Sequence, residues 1–232
     1  MRFDDVESLS FDCYGTLIDW EAGIVGALGR LLAVHGIELS GEEILALYAE
    51  VEPAQQAGEY RLYREILGSV VDAIGERLGF TPDPSERVSL ADSIAEWRPF
   101  PDTVEALRAL GQRFELVIIS NIDDDLFAHS AEHLSVPFDQ VITAEQSRAY
   151  KPSHRSFHLA FERMGHGPSG VLHVAQSLYH DIAPANELGL RSVWVNRRAG
   201  LHGSGATAPS TAQPDMEVHD LGTLVQLMGL DA

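Results

Sequence analysis

Asp12 ends a short β-like run, Ser8-Leu9-Ser10-Phe11, and opens the turn Asp12-Cys13-Tyr14-Gly15-Thr16-Leu17. A carboxylate at a strand end, followed by Gly and Thr, is a poor core element. It is a sensible nucleophile in a pocket of backbone N–H donors; the plainer alternative is a turn-capping Asp. Other polar residues follow apolar runs further along. Ser120-Asn121 follows Leu116-Val117-Ile118-Ile119, and Gln176-Ser177 follows Val171-Leu172-His173-Val174-Ala175. Lys151 precedes Pro152, and Asp181 follows His180. A cation brought beside Asp12 would lower its pKa and keep it ionised.

The elements that must position these groups fall into two kinds. From Glu21 to Trp97 the apolar residues recur at helical spacing, as in Tyr63, Leu67, Val70, Ile74 and Leu78. Ile24, Leu28, Leu31 and Leu32 mark an earlier helix, Ile44, Leu45, Tyr48 and Val51 a second, and Val88, Ala91, Ile94 and Trp97 a fourth. Pro53, Pro82, Pro84 and Pro99 are read as punctuation between them. After Pro99, helical segments alternate with short apolar strands near 116–119, 141–143, 171–174 and 192–195, with helices expected from about Asp123 and Pro152. That alternation predicts an α/β fold with a parallel sheet and helices on both faces. The division is 1–20 and 99–232 for the core and 21–98 for an all-helical insertion. Residues 199–214, rich in small residues and Pro, are expected to form a surface loop before a last short helix. In such sheets ligands bind beyond the carboxyl ends of strands, near the switch point. Parallel neighbours ending at Phe11, Ile119 and Val174 would bring Asp12, Ser120-Asn121 and Gln176-Ser177 to one pocket, which the insertion could cover.

Composition narrows the partners. The 232 residues are 45% hydrophobic and 22% charged, ordinary values for a soluble globular protein. A formal net charge of −19 argues against nucleic acid or an anionic membrane, and leaves a small-molecule substrate. No apolar run approaches the ~18 residues of a membrane span, and no signal peptide is read at the start. The single cysteine, Cys13, excludes an intramolecular disulfide and makes the cytoplasm the expected location. Whether the assembly is a monomer or a homodimer is open.

The motifs FDCYGTLIDW at 11–20, SNID at 120–123, YKP at 150–152 and HVAQSLYHD at 173–181 resemble those of the haloacid dehalogenase superfamily in type and order. The resemblance implies a Rossmann-like core with a helical cap, and within the superfamily it is closest to the type II haloacid dehalogenases. FPDTVEAL, SLYHD and PAN look similar to the branch that includes azetidine-2-carboxylate hydrolase. Phosphatases of the superfamily place a second Asp two residues after the nucleophile, where this chain has Tyr14, and an acidic metal ligand where it has Gln176. The resemblance therefore implies attack on carbon of a small organic acid, activated at its α-carbon or in a strained ring, without a metal or other cofactor. Asp12 would form an ester that water then hydrolyses at the carbonyl. Thr16 would orient Asp12, Ser120 and Lys151 would supply the second and third motifs, and Asp181 would pair with Lys151 or orient the water. Ser120 and Asn121 could instead cap the helix that follows.

The candidate substrate contacts are Tyr14, Trp20, Asn121, Glu50, Glu52 and Ser177. Haloacid dehalogenases have an Arg in the early cap, whereas Leu47 to Glu52 contains none. Glu50 or Glu52 would there favour a substrate carrying an amine. Ala175 and Ser177 stand near the Ser and Asn of the family's last motif, and Phe157 replaces its Tyr. Two other readings stay beside this one: a magnesium-dependent small-molecule phosphatase, and a binding protein that kept the fold without the activity. Cys13 is expected to be inert and His173 to be a satisfied core histidine, and His180, although next to Asp181, is not counted among the site residues.

Overall fold

The computed structural model describes residues 2–201 and 205–230. Six parallel strands form one sheet, in the order β3-β2-β1-β4-β5-β6. They are β1 (Ser8–Phe11), β2 (Glu115–Ser120), β3 (Gln140–Thr143), β4 (Val171–Ala175), β5 (Arg191–Val195) and β6 (Met216–Val218). The three central strands are buried along nearly their whole length, as expected of strands covered on both faces. The chain starts in the middle of the sheet, moves out to β3, then returns to build β4, β5 and β6 on the other side. The switch point therefore lies between β1 and β4.

Four helices separate β1 from the rest of the sheet: α1 (Trp20–Val34), α2 (Gly41–Gln56), α3 (Tyr63–Leu78) and α4 (Pro84–Ser93). Their starts follow from local chemistry. Asp19 caps α1, Ser40 and Glu43 form a reciprocal capping box on α2, and Asp83 does the same for α4 with Glu86. Gly79, at φ 82°, closes α3 in the left-handed conformation that costs glycine least. The helices bury one face each against one another, including Ile24, Leu28, Tyr48, Leu67, Val70 and Ile74. Five shorter helices, α5 (Thr103–Leu110), α6 (Asp124–Leu134), α7 (Ala144–Ser147), α8 (Arg155–Met164) and α9 (Ala183–Leu188), connect the strands, and α10 (Leu221–Leu227) follows β6.

Several expectations need correction. Pro53 does not end its helix; α2 runs through it to Gln56, forgoing the one hydrogen bond to the Ala49 carbonyl that a proline cannot donate. The fourth helix stops at Ser93, and Ile94–Glu96 continues it as a 3-10 turn. The helix after Lys151-Pro152 begins at Arg155, after a turn in which Ser153 N–H donates to the Tyr150 carbonyl at 3.0 Å. Strand β6 was not anticipated. Of the expected surface loop at 199–214, residues 202–204 lie outside the described residues, while Ala206 and Thr207 are buried rather than superficial.

Candidate active site

Strand register assembles the site. Phe11 lies level with Ile118 on one side and Val174 on the other, so Asp12 emerges beside Ile119 and Ala175. Its N–H donates to the Val174 carbonyl at 3.2 Å, extending the ladder by one residue. The Asp12 carboxylate is only 7% exposed, and each oxygen has a donor. Thr16 Oγ1 donates to Oδ2 at 2.8 Å, and Lys151 Nζ donates to Oδ1 at 2.9 Å. Gln176 N–H donates to Thr16 Oγ1 at 2.9 Å, which turns the hydroxyl proton towards Asp12.

Lys151 is buried to 1% exposure between two carboxylates. Its ammonium donates to Asp12 Oδ1, to Asp181 Oδ1 at 2.6 Å, and to the Ile119 carbonyl at 2.7 Å. A lysine has three N–H donors, and all three are engaged. Asn121 fixes the backbone beneath it: Lys151 N–H donates to Asn121 Oδ1 at 2.7 Å, and Asn121 Nδ2 donates to the Lys151 carbonyl at 3.1 Å. Asn121 thus lines the site with both ends of its amide already committed.

Asp181 sits on a π-helical turn, Leu178–Ile182, that Ser177 caps. Its Oδ1 also meets His173 Nε2 at 3.0 Å, and His173 Nδ1 meets Ser10 Oγ at 2.8 Å. The carboxylate can only accept, so Nε2 carries a proton. His173 is the satisfied core histidine expected from its strand, and it also fixes Asp181, a contact that the sequence did not indicate. Asp181 Oδ2 and Ser120 Oγ are buried in the same cavity without a hydrogen-bond partner among the described residues.

The charges follow from these contacts. Burial raises Asp181, but the Lys151 charge and the His173 hydrogen bond outweigh it and hold the carboxyl at about 2. Burial pushes Asp12 upward against the pull of Lys151, with the nearby Asp181 charge adding to the rise. Burial also opposes the Lys151 charge, yet the two carboxylates raise its pKa. Lys151 therefore stays protonated and is the counter-ion of both acids. His180 is driven down to about 4 by burial and is neutral, with Nδ1 3.1 Å from Ser177 Oγ. Cys13 is buried beside Asp12, and burial pushes its thiol well up, the inert state expected.

These groups open onto a cleft of about 670 Å³, mouth included, between the strand ends and the inserted helices. It brings together Asp12, Tyr14, Trp20, Glu52, Ser120, Asn121, Lys151, Ser177 and Asp181 from the sequence-predicted set, with Thr16 directly behind Asp12. Tyr14 and Trp20 both wall the cleft and tie it to the cap. Tyr14 hydrogen-bonds Ser130 at 2.7 Å and packs edge-on against Trp97, while Trp20 packs edge-on against Tyr48. Glu50 does not belong: it lies on the outside of α2, exposed and paired with Arg77 at 2.6 Å. Neither Ser120 nor Asn121 caps α6; Asp123 holds that position, with its carboxylate turned towards α3. The cleft also contains Pro53, Gln56, Tyr63, Trp97, Gln176 and His180, and the segment Ala206, Thr207 and Ala208. That segment carried no sequence signal beyond small residues.

A protein-family model for haloacid dehalogenase-like hydrolases matches residues 6–189. The chain belongs to that family. It is a hydrolase whose core and inserted helices follow the family architecture. An (S)-2-haloacid dehalogenase of Pseudomonas sp. (strain YL) is 28% identical, covering 97% of this chain and 95% of the relative. Haloacetate dehalogenase H-2 of Moraxella sp. (strain B) is also 28% identical, over 83% of this chain and 86% of its own. Among solved structures, a defluorinating L-2-haloacid dehalogenase superposes with a TM-score of 0.83 at 23% identity, covering 99% of both chains. The Xanthobacter autotrophicus L-2-haloacid dehalogenase with chloropropionic acid covalently bound gives 0.80 at 22%, over 97% of this chain and 98% of that one. These two share the fold. No helix among the described residues is long and apolar enough to cross a membrane.

Proposed function

We propose that this hydrolase cleaves a bond at a saturated carbon of a small organic acid, using Asp12 as a covalent nucleophile and residues 21–98 as a cap over the site. The observation that carries the reading is the buried arrangement Asp12–Lys151–Asp181, with Thr16 on the second oxygen of Asp12. The Asp12 carboxylate attacks carbon, a carbon–oxygen bond forms, and the leaving group departs with its bonding pair. Lys151 and Thr16 hold both oxygens so that one face of the carboxylate points at the cleft. Water then attacks the carbonyl carbon of the Asp12 ester, the alcohol is released, and Asp12 is regenerated with loss of one proton. Asp181 Oδ2, ionised and without a partner in the cleft, is placed to orient that water. Ser120 Oγ offers a hydroxyl to the substrate or to the departing group.

The phosphatase reading fits these residues poorly. Lys151 already takes one oxygen from each acid that would hold magnesium, and Gln176 turns its carbonyl oxygen to Thr207 at 3.4 Å. At position 14, where a phosphatase needs a second acid, the Tyr14 hydroxyl is engaged by Ser130. The buried unpaired Cys13 supports a reducing, cytoplasmic setting.

Turnover in ¹⁸O-water tests the chemistry, with a panel containing 2-chloropropionate, azetidine-2-carboxylate and phosphate esters to find the substrate. In a single turnover the label should enter the Asp12 carboxylate before the product, and Asp12→Asn should lower kcat by about 10⁴-fold without unfolding. Label found first in the product would mean direct attack by water on the substrate. Activity lost to EDTA and restored by magnesium would favour the phosphatase.

A further inference from the structure

The cleft has two acids on its floor, and Lys151 has spent all three of its donors on Asp12, Asp181 and the Ile119 carbonyl. No arginine lines it among the described residues. His180 is neutral. Among the described residues of its lining, nothing with a positive charge is left to receive a substrate carboxylate. A third acid, Glu52, projects from the cap wall and is itself 8% exposed. It lies one helical turn before Gln56, whose amide donates to Oε1. One neutral partner leaves a carboxylate with unused lone pairs. Aromatic rings complete the enclosure: Trp20, Tyr63, Tyr14 and Trp97 line the same cleft. An acid set among aromatic faces is an environment for an ammonium ion, which gains from both the carboxylate and the ring quadrupoles. Ser120 Oγ and Asp181 Oδ2, each buried and without a partner in the cleft, are two further groups arranged for a polar ligand.

From this we infer that Glu52 is a specificity-determining residue, and that the substrate acid also carries an amine, whose ammonium sits against Glu52 while the carbon bearing the leaving group faces Asp12. The inference rests on the attack of Asp12 on carbon proposed above for the reaction, but recognition of the ammonium does not need the chemistry to proceed. A substrate bearing a carboxylate alone would face three acids. An ammonium neutralises one of them and replaces its lost hydration with a charge-assisted hydrogen bond, a contact worth roughly ten- to a hundredfold in affinity.

Three unreactive ligands of similar size separate the cases: isobutylammonium, isobutyramide and isobutyrate, each titrated calorimetrically into the wild-type enzyme. None carries a leaving group, so a failure here is a failure of the charge assignment, while the ¹⁸O experiment reports on the ester independently. Isobutylammonium should bind at least tenfold more tightly than either of the others. Glu52→Gln, checked for folding by circular dichroism, should remove that preference. Tighter binding of isobutyrate overturns the proposal. An ammonium preference that survives Glu52→Gln also overturns it, by placing the cation on Asp12 or Asp181 instead. Trp20→Leu gives a second reading if Glu52→Gln fails to fold: it should weaken isobutylammonium severalfold while leaving isobutyramide nearly unchanged, and equal losses for both would remove the cation–π contact from the argument.

Discussion

The two walls of the cleft bury carboxyl groups in different ways. The strand-end wall buries Asp12 and Asp181 around one shared ammonium, and Lys151, Thr16 and His173 leave a single acceptor, Asp181 Oδ2, unused. The cap wall buries Glu52 with a hydrogen bond from Gln56 but no cation among the described residues, and burial drives its carboxyl up to about 7. Paired burial fixes a charge, whereas lone burial leaves the group near its titration point and ready to respond to what binds. The first suits a nucleophile that must remain ionised. The second suits a contact whose partner arrives with the substrate.

Lys151→Met should have the largest effect on this contrast, because it converts the strand-end wall into a second case of unpaired burial. Removing one partner of a buried ion pair costs about 3–5 kcal/mol. The urea midpoint of the variant at pH 7.5 should fall accordingly, and activity should be lost with it. Without the cation, the two folded carboxyls rise above their unfolded values. Stability they had at low pH is then lost as pH rises through those folded values, so the deficit should shrink on acidification to pH 4–5. A deficit below about 1 kcal/mol at pH 7.5 would mean that the wall tolerates two uncompensated acids, and the comparison would fail.

The cap wall makes a smaller and more unusual prediction. Glu52 is raised in the folded state to about 7 from 4.5, so its contribution is fully present below pH 4.5 and is lost as pH rises to 7. His180 is lowered to about 4 from 6.5, so its contribution is present above pH 6.5 and is lost as pH falls to 4. Each contribution is about 3 kcal/mol, and they run in opposite directions over nearly the same window. Their sum should be almost flat in the wild type. Glu52→Gln should expose the histidine slope, with stability falling by about 3 kcal/mol from pH 7 to pH 4 relative to wild type. His180→Asn should expose the opposite slope. Denaturation curves at five pH values check both, and parallel profiles for all three proteins would show that neither group is shifted.

How legible each wall was in the sequence follows the same division. Asp12, Ser120 and Lys151 sit where short apolar runs give way to polar residues, and parallel register does the rest. His173 disclosed less, because its partner Asp181 lies beyond a turn and only the π-helical geometry returns that carboxylate to the strand. In the cap, the choice between Glu50 and Glu52 was open to a helical-phase argument. Glu52 is four residues after Tyr48 and shares its buried face, while Glu50 is two after it and points away. Residues 206–208 and the three-residue strand β6 were not legible: small side chains carry no period, and three residues are too few to show alternation.

The smallest expected effect lies where the walls meet. Helix α3 begins at Tyr63 with no side-chain cap from its own N-cap residue, Leu62. Asp123, at the end of the strand-end wall, supplies it instead: the N–H groups of Tyr63 and Arg64 donate to its two oxygens at 2.7 and 2.8 Å. Nearby, the Tyr150 hydroxyl donates to the Arg61 carbonyl at 2.7 Å. Both contacts hold the chain entering α3, and hence Tyr63 next to Glu52, against the residues around Lys151. Replacing Asp123 by Ala removes a cap and should cost about 1–2 kcal/mol. Because Asp123 belongs to one wall and α3 to the other, the loss should be local. Amide exchange at Tyr63 and Arg64 should accelerate by roughly tenfold or more, while the β1 amides, which open only with the core, should change much less. Equal acceleration at both places would mean that the walls unfold as one unit, and that the cap has no independent freedom over the strand-end site.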